Sequence, residues 1–367
     1  MELCVVKFQL MMILFYVLVL ALVFYLLAVV CDEFFVESLE IISDRLKLSP
    51  DVAGATFMAV GSSAPELFTS LIAVFRVGSE DVGSGTIVGS AIFNILVIIG
   101  ASALYRQAQL NWQPVVRDTL FYSISILVLL WSFWDGKIVL SEALMFVGLY
   151  VIYLMAVFNW RKWFPYKEKD DPIEIMEEAT AKSRLAINSK KLLGLLIPDA
   201  KKNPDKFMWT FLMSVILIAV LSHVLVESAV HLGELIHISP VIISLTVLAA
   251  GTSIPDLLSS MIVAKKGRGD MAISNAVGSN IFDILFGLGF PWVLVLFIRG
   301  GSVPVATENL KGSVFLLFAT LIATFFMIAL RNWKIGPKAG YLLIATYVLY
   351  LGYTILSVMG WVNLTPL

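Results

Sequence analysis

Charge is what this sequence has least of. Only 14% of its 367 residues are Asp, Glu, Lys or Arg, and 59% are hydrophobic. Soluble domains carry about 25% charged and roughly 45–50% apolar residues, so the balance excludes that class and leaves a multi-spanning membrane protein. Cysteine is nearly missing as well. Cys4 and Cys31 stand near opposite ends of one apolar run, roughly 40 Å apart if the run is helical. That is too far for a disulfide, and the spacing is not that of a zinc site. The three histidines, His223, His231 and His237, fall in or beside one apolar segment and are expected near its membrane interface. No GxxxxGK[ST], HExxH or GxSxG motif occurs, which speaks against nucleotide-driven, zinc-hydrolase or serine-nucleophile chemistry. Neither an enzyme, a cofactor nor a nucleic-acid partner is expected. Energy for any work must come from an ion gradient.

What the chain does have is apolar segments long enough to span a bilayer. They lie near 7–30, 52–75, 84–104, 118–134, 138–159, 207–233, 240–263, 271–298, 312–330 and 339–359. The first is too long for the about 7–15 apolar residues of a signal peptide and is expected to be a retained span. Between the fifth and sixth lies a polar stretch, 161–206, with eleven Lys or Arg and eight Asp or Glu. It is expected to be a cytoplasmic linker with a short surface helix over Pro172–Ala186, dividing the chain into 1–160 and 207–367. With the N-terminus outside, 21 of the 26 basic residues become cytoplasmic, Arg45, Arg106, Arg117, Lys265 and Lys266 among them. That is the positive-inside bias, and it puts both termini on the external side.

The two halves repeat each other. At an offset of 190, Leu48-Ser49-Pro50 meets Ile238-Ser239-Pro240, and GSSAPE (Gly61 to Glu66) meets GTSIPD (Gly251 to Asp256). After a one-residue gap, VGSAIFNIL (Val88 to Leu96) meets VGSNIFDIL (Val277 to Leu285). A duplicated unit of five spans places its second copy upside down in the membrane. Inverted repeats with interrupted helices bind substrate near the bilayer midplane, where the copies meet. The expected fold is an all-α integral membrane protein of ten transmembrane helices, in two inverted five-helix repeats with broken helices at an ion site.

The repeated blocks carry oxygen donors. A carboxylate at bilayer depth needs a partner or a cation, and a proline just before it removes a backbone bond to Gly61 or Gly251. Residues four apart share a helix face: Ser62 with Glu66, Thr252 with Asp256, Ser90 with Asn94, and Ser279 with Asp283. Ser63 and Ser253 add hydroxyls beside the prolines. No Lys or Arg lies in these helices, so three acids, Glu66, Asp256 and Asp283, must be balanced by cations or protons. Hard cations such as sodium, calcium and potassium take such ligands. Glu37, Glu40, Asp44, Glu227 and Glu234 are expected at the interface. Several tryptophans near span ends, Trp131, Trp134, Trp163, Trp209 and Trp361 among them, are expected to anchor in the lipid bilayer.

GSSAPELFTS followed by GTIVGSAIFNIL, then GTSIPDLLSS followed by GDMAISNAVGSNIFDIL, resemble the two alpha repeats of the sodium/calcium exchanger superfamily. Within it they are most similar to the potassium-dependent sodium/calcium exchangers. The resemblance covers nearly the whole chain, with the alpha-1 block about 52–104 and the alpha-2 block about 240–298. It implies an antiporter that exchanges sodium for calcium, with potassium moving alongside calcium. A potassium-independent exchanger or a calcium/proton antiporter on the same scaffold is the alternative, and a cation channel a more distant one. The resemblance implies that Glu66 and Asp256 are the principal calcium carboxylates, flanked by Ser62, Ser63, Thr252 and Ser253. Ser90, Asn94, Ser279 and Asp283 follow as ligands of the second blocks, with Asp283 the residue tied to potassium. The backbone carbonyls of Ala59 and Ala249 are implied as sodium ligands. The 161–206 linker has no room for the calcium-sensing β-sandwich modules of some relatives. GLGFPW, Gly287 to Trp292, departs from the tract of the potassium-dependent group. The plasma membrane is the expected location, with an intracellular vesicle or Golgi membrane as the alternative, and a homodimer is left open.

Overall fold

Backbone polar groups in a bilayer must be satisfied within the chain, and a helix does so without a partner strand. The computed structural model describes residues 2–75, 80–105, 107–166, 184–200, 202–236, 243–305 and 307–358. Among these, seven helices are each long and apolar enough to cross a membrane. Two further helix pairs, Pro50–Ser62 with Ala64–Phe75 and Ser244–Thr252 with Ile254–Lys265, each bend by 45° and make nine. Pro337–Val358 is one more helix, of 22 residues, so each of the ten apolar segments falls on a helix. Arg76, Arg106, His237 and Trp361 lie outside the described residues, as do 167–183. The linker helix found within the described part is Arg184–Leu193.

The first helix departs from expectation. It runs from Lys7 to Arg45, 39 residues, about 58 Å at 1.5 Å per residue and well beyond the ~30 Å hydrocarbon core. A π-helical turn at Cys31–Phe35 interrupts it. There the linker docks: Lys190 Nζ sits 2.6 Å from Glu33 Oε2 and 3.7 Å from Asp199 Oδ2, and the Tyr25 and Ser189 hydroxyls meet at 3.1 Å. Partial burial pulls the Lys190 pKa down, but the bond to Glu33 and the charges of Glu37 and Asp199 outweigh it and raise it.

Two short strand pairs show how the copies sit. Ala108–Gln109, after the third span, pairs antiparallel with Lys334–Ile335, before the tenth. Lys137–Ile138, after the fourth span, pairs with Val303–Pro304, before the ninth. Each connection of the first copy thus bonds to the neighbour of its own equivalent in the second. Copies of the same orientation would bring equivalent connections to the same face, whereas inverted copies give this crossed pairing.

The repeat extends to local geometry. Gly54–Met58 and Ser244–Leu248, related by the offset of 190, are both π-helical. So are Asn94–Ile98 and Asp283–Leu288, which begin at equivalent residues. Single π turns inside α-helices are frequent at functional sites. Helix contacts between copies are reciprocal too. A Cβ added to Gly89 would lie 2.5 Å from Leu245 O, and one added to its equivalent Gly278 would lie 2.8 Å from Cα of Ala55, the equivalent of Leu245. Small residues let the backbones approach this closely.

The apolar interior forms two clusters. One joins the first long helix to Phe207–Leu235 through Leu27, Val30, Phe34, Ile218 and Leu225. The other gathers the helices from Gly83 to Trp163 and from Gly269 onward, around Ile92, Tyr122, Phe146, Ile281 and Leu317. Arg117, expected as a loop charge on the cytoplasmic side, is fully buried in the Trp112–Ser132 helix. Its Nε donates to Asp118 Oδ1 at 2.7 Å and its Nη1 to Asp51 Oδ2 at 3.2 Å. Tyr153 donates to Asp118 at 3.1 Å and Tyr166 to Asp51 at 2.7 Å. Trp131, Trp134, Trp163 and Trp209 have exposed rings.

Candidate cation site

The site is built at the two breaks. Pro65 and Pro255 lack the N–H that would bond back to Gly61 and Gly251. Ser63 and Ser253, two residues before each proline, leave the helical region at ψ of 11° and 5°. The bend falls between the hydroxyl at position 62 or 252 and the acid at 66 or 256. The pairs Ser62–Glu66 and Thr252–Asp256 therefore straddle a kink and do not lie along one straight helix face. Each acid lies in the first turn of the half-helix after the break, where the exposed N–H groups favour negative charge.

Glu66, Asp256 and Asp283 come together: each offers a carboxylate oxygen, and these three atoms lie within 4.8 Å of one another. All three residues are fully buried. Calcium binds oxygens at about 2.3–2.6 Å, so one ion can touch oxygens up to about 5 Å apart. Among the described residues no Lys or Arg is paired with these acids.

Hydroxyls tie the acids across the repeats. Ser253 Oγ lies 3.0 Å from Glu66 Oε1 and 2.9 Å from Ser90 Oγ, and Ser90 Oγ lies 3.4 Å from the same Glu66 oxygen. Ser279 donates to Asp256 Oδ1 at 2.9 Å, and Asn94 Nδ2 donates to Asp256 Oδ2 at 3.2 Å. Ser62 and Thr252 donate back to the carbonyls of Met58 and Leu248, at 2.7 and 3.0 Å, which leaves their oxygen lone pairs available. The carbonyls of Ala59 and Ala249 already accept from Ser63 N and Ser253 N, at 3.0 and 3.3 Å. A carbonyl has a second lone pair, so either could still take a cation.

Among the described residues several buried oxygens of this set lack a well-formed hydrogen bond: Glu66 Oε2, both oxygens of Asp283, Asn94 Oδ1 and Ser63 Oγ. Other buried hydroxyls, such as those of Ser43, Thr69, Ser102 and Thr324, are likewise without a partner among the described residues, but these five oxygens belong to residues expected to bind cations. Asn94, the repeat equivalent of Asp283, holds two hydrogen bonds.

Sequence reasoning missed three residues of this region. Asn280 bonds to Asn94 and Tyr122. Asn275 Oδ1 lies 3.4 Å from Ser62 Oγ, and its Nδ2 donates to Ser260 at 2.8 Å. Asn280 had a signal, since it replaces Ala91 at one of the two positions where the repeated blocks differ; Tyr122, in a helix outside both blocks, had none.

The model of the sodium/calcium exchanger protein family matches residues 16–159 and 206–356. Sodium/potassium/calcium exchanger 4 of Homo sapiens is 31% identical over 506 aligned positions, which cover 93% of this chain and 81% of that protein. Sodium/potassium/calcium exchanger 5 of Homo sapiens is 34% identical over 422 positions, covering 95% and 83%. Among solved structures, the sodium-calcium exchanger NCX_Mj soaked with 100 mM Na+ and 10 mM Sr2+ superposes with a TM-score of 0.63 at 21% identity, covering 93% of this chain and 98% of that one. The same exchanger soaked with zero Na+ and Ca2+ gives 0.61 at 21% identity, covering 94% and 99%. These structures carry the fold.

Proposed function

This chain belongs to the sodium/calcium exchanger family, a family of transporters, and we propose that it is a secondary antiporter in which sodium and calcium compete for the cluster of Glu66, Asp256 and Asp283. The observation that carries the reading is the meeting of three fully buried carboxylates, one oxygen of each within 4.8 Å of the others, at the interface of two inverted repeats. In water-free surroundings such a cluster keeps its charge only with cations beside it. Glu66 and Asp256, each placed by a proline break, hold the calcium, and Ser62, Ser63, Ser90, Thr252, Ser253 and Ser279 supply neutral oxygens. Sodium ions occupy the same groups together with the carbonyls of Ala59 and Ala249.

Potassium is the finer part of the proposal. The relatives at 31% and 34% identity are named for sodium, potassium and calcium. Here potassium travels with calcium, its charge matched to the fully buried carboxylate of Asp283. One divalent and one monovalent cation balance three carboxylates.

Alternating access is assigned to the pair of helices that lies over both breaks. The long first helix and Phe207–Leu235 pack on each other and lie over both breaks: Phe35 covers Gly61, and Phe24 and Leu225 cover Gly251. Movement of that pair against the larger cluster would open the site to one side at a time, in the manner of inverted-repeat transporters. Emptied of cations, the cluster either keeps its charge and resists the crossing, or takes up protons and crosses as a proton exchanger; both outcomes are exchange and not leak.

The direct test is calcium uptake into vesicles loaded with sodium, with external potassium and pH varied separately. Uptake should require the outward sodium gradient and rise with potassium. Uptake driven by pH alone, indifferent to sodium, would overturn the proposal in favour of proton exchange.

A further inference from the structure

The blocks Val88–Leu96 and Val277–Leu285 differ at two positions: Ala91 stands opposite Asn280, and Asn94 opposite Asp283. Packing connects these two differences. Asn280 Nδ2 donates to the carbonyl of Ala91 at 3.1 Å and to the hydroxyl of Tyr122 at 2.8 Å, while Asn280 Oδ1 accepts from Asn94 Nδ2 at 2.8 Å. Asn280, Asn94 and Tyr122 are all fully buried.

The direction of every amide in this chain of bonds follows from its far end. A backbone carbonyl can only accept, so the amino group of Asn280 must face Ala91 and its oxygen must face Asn94. Asn94 must then answer with its own amino group, which also reaches Asp256 Oδ2 at 3.2 Å. Both amino hydrogens of Asn94 are thereby used, and Oδ1 is left buried without a donor. Oxygen and nitrogen of an amide have nearly the same shape, so the outline of the side chain does not choose between the two orientations; the hydrogen bonds to Asn280 and Asp256 do, and the one to Asn280 is the shorter, at 2.8 against 3.2 Å. A hard cation binds the oxygen and is repelled by the amino group.

We propose that Asn280, held in place by Tyr122, is a positioning residue that fixes the Asn94 amide with its oxygen toward the transported cation. The proposal rests on the reading of the carboxylate cluster as a cation site. It gives the second asymmetry of the repeat a purpose: a neutral residue at 94 works as a ligand only if something sets its orientation, whereas the two oxygens of a carboxylate, as at 283, need no such setting.

The test is a double-mutant cycle in the full chain, with calcium as the probe. Asn280→Ala, Tyr122→Phe, Asn94→Ala and the doubles Asn280→Ala/Asn94→Ala and Tyr122→Phe/Asn94→Ala are compared for the calcium concentration giving half-maximal uptake. The same cycle is read as the calcium-dependent rise in melting temperature of purified protein, which needs no turnover. Asn280→Ala should weaken calcium roughly 2- to 12-fold, the range of a neutral hydrogen bond's net contribution. Tyr122→Phe should shift it less, in the same direction. Both effects should vanish in the Asn94→Ala background, where there is no amide left to orient. Equal shifts in both backgrounds would show that Asn280 acts on the ion or the fold directly and would overturn the positioning role. An unchanged calcium affinity in Asn280→Ala would do the same. If the unsubstituted protein shows no calcium-dependent uptake or stabilisation, the cation site falls and the relay with it.

Discussion

The spacing between the repeats can be tested at Gly89. A methyl group there would lie 2.5 Å from Leu245 O, 2.7 Å from Ala249 Cβ and 2.9 Å from Leu245 C. The first contact is about 0.9 Å short of the 3.4 Å at which ordinary contact begins. Two of the three atoms are backbone, so no side chain can swing aside and the helices must separate. That displacement is several times the ~0.3 Å spread of calcium–oxygen distances. It acts beside Ser90 and directly on Ala249, two residues of the proposed site. Overpacking of this kind costs about 1–3 kcal/mol, which corresponds to roughly 5- to 150-fold in affinity if the site absorbs the strain. Gly89→Ala should therefore raise the calcium concentration for half-maximal sodium-driven uptake within that range. Gly278→Ala, whose added carbon would stand 2.8 Å from Ala55 Cα, should do so less. The control is Gly148→Ala, with no atom of the described residues within 4 Å of the new methyl group, which should match the parent. A Gly89→Ala protein that expresses normally and keeps the parent's calcium dependence would refute the argument that backbone contact between the repeats sets the ligand geometry.

Glu66→Gln and Asp256→Asn should each abolish calcium uptake, and parent-level flux in either would remove that residue from the site. Asp283→Asn should leave sodium–calcium exchange while weakening its dependence on potassium, measured by titrating external potassium during uptake. Arg117→Met removes one member of a buried set and strands Asp118 and Asp51, so it should destabilise the protein by about 3–5 kcal/mol; Arg117→Met/Asp118→Asn should recover part of the lost melting temperature in detergent. Lys190→Ala should undock the linker helix and speed proteolysis between 184 and 206. A raised lysine pKa stabilises the folded state fully below the ordinary value of 10.5 and is lost as pH rises through the raised one. Linker docking in the parent should then be constant from about pH 6 to pH 9, which lies between the ordinary carboxylate and lysine pKa values, and a protease profile that changes within it would count against the Lys190–Glu33 contact.

Some of these features are plain in the sequence and others are hidden, for physical reasons. Ser-x-Pro followed by an acid in an apolar segment is conspicuous because a charge and a helix breaker are both costly there, so Glu66 and Asp256 stand out by residue type alone. Asp283 stands out only against Asn94, by the comparison of copies. Arg117 is easily misplaced because a basic residue near a span end resembles a loop charge, and nothing local reveals that Asp51, 66 residues earlier, folds against it. The length of the first helix is also hidden, since hydropathy ends near Val30 while helical structure continues to Arg45. Tyr122 gives no sign at all: its contact with Asn280 spans 158 positions, and a tyrosine in an apolar helix looks the same whether or not its hydroxyl has work.

The crossed strand pairs carry a consequence for assembly. Both run between the halves, as do the close contacts at Gly89 and Gly278 and the bonds from Ser253 and Asn94 to acids of the opposite half. Each half therefore finishes the other, and the polypeptide that joins them mainly guarantees one of each, the right way up. Halves made as two separate chains, cut within 167–183 and produced together, should find each other in the bilayer and transport; either half alone should not.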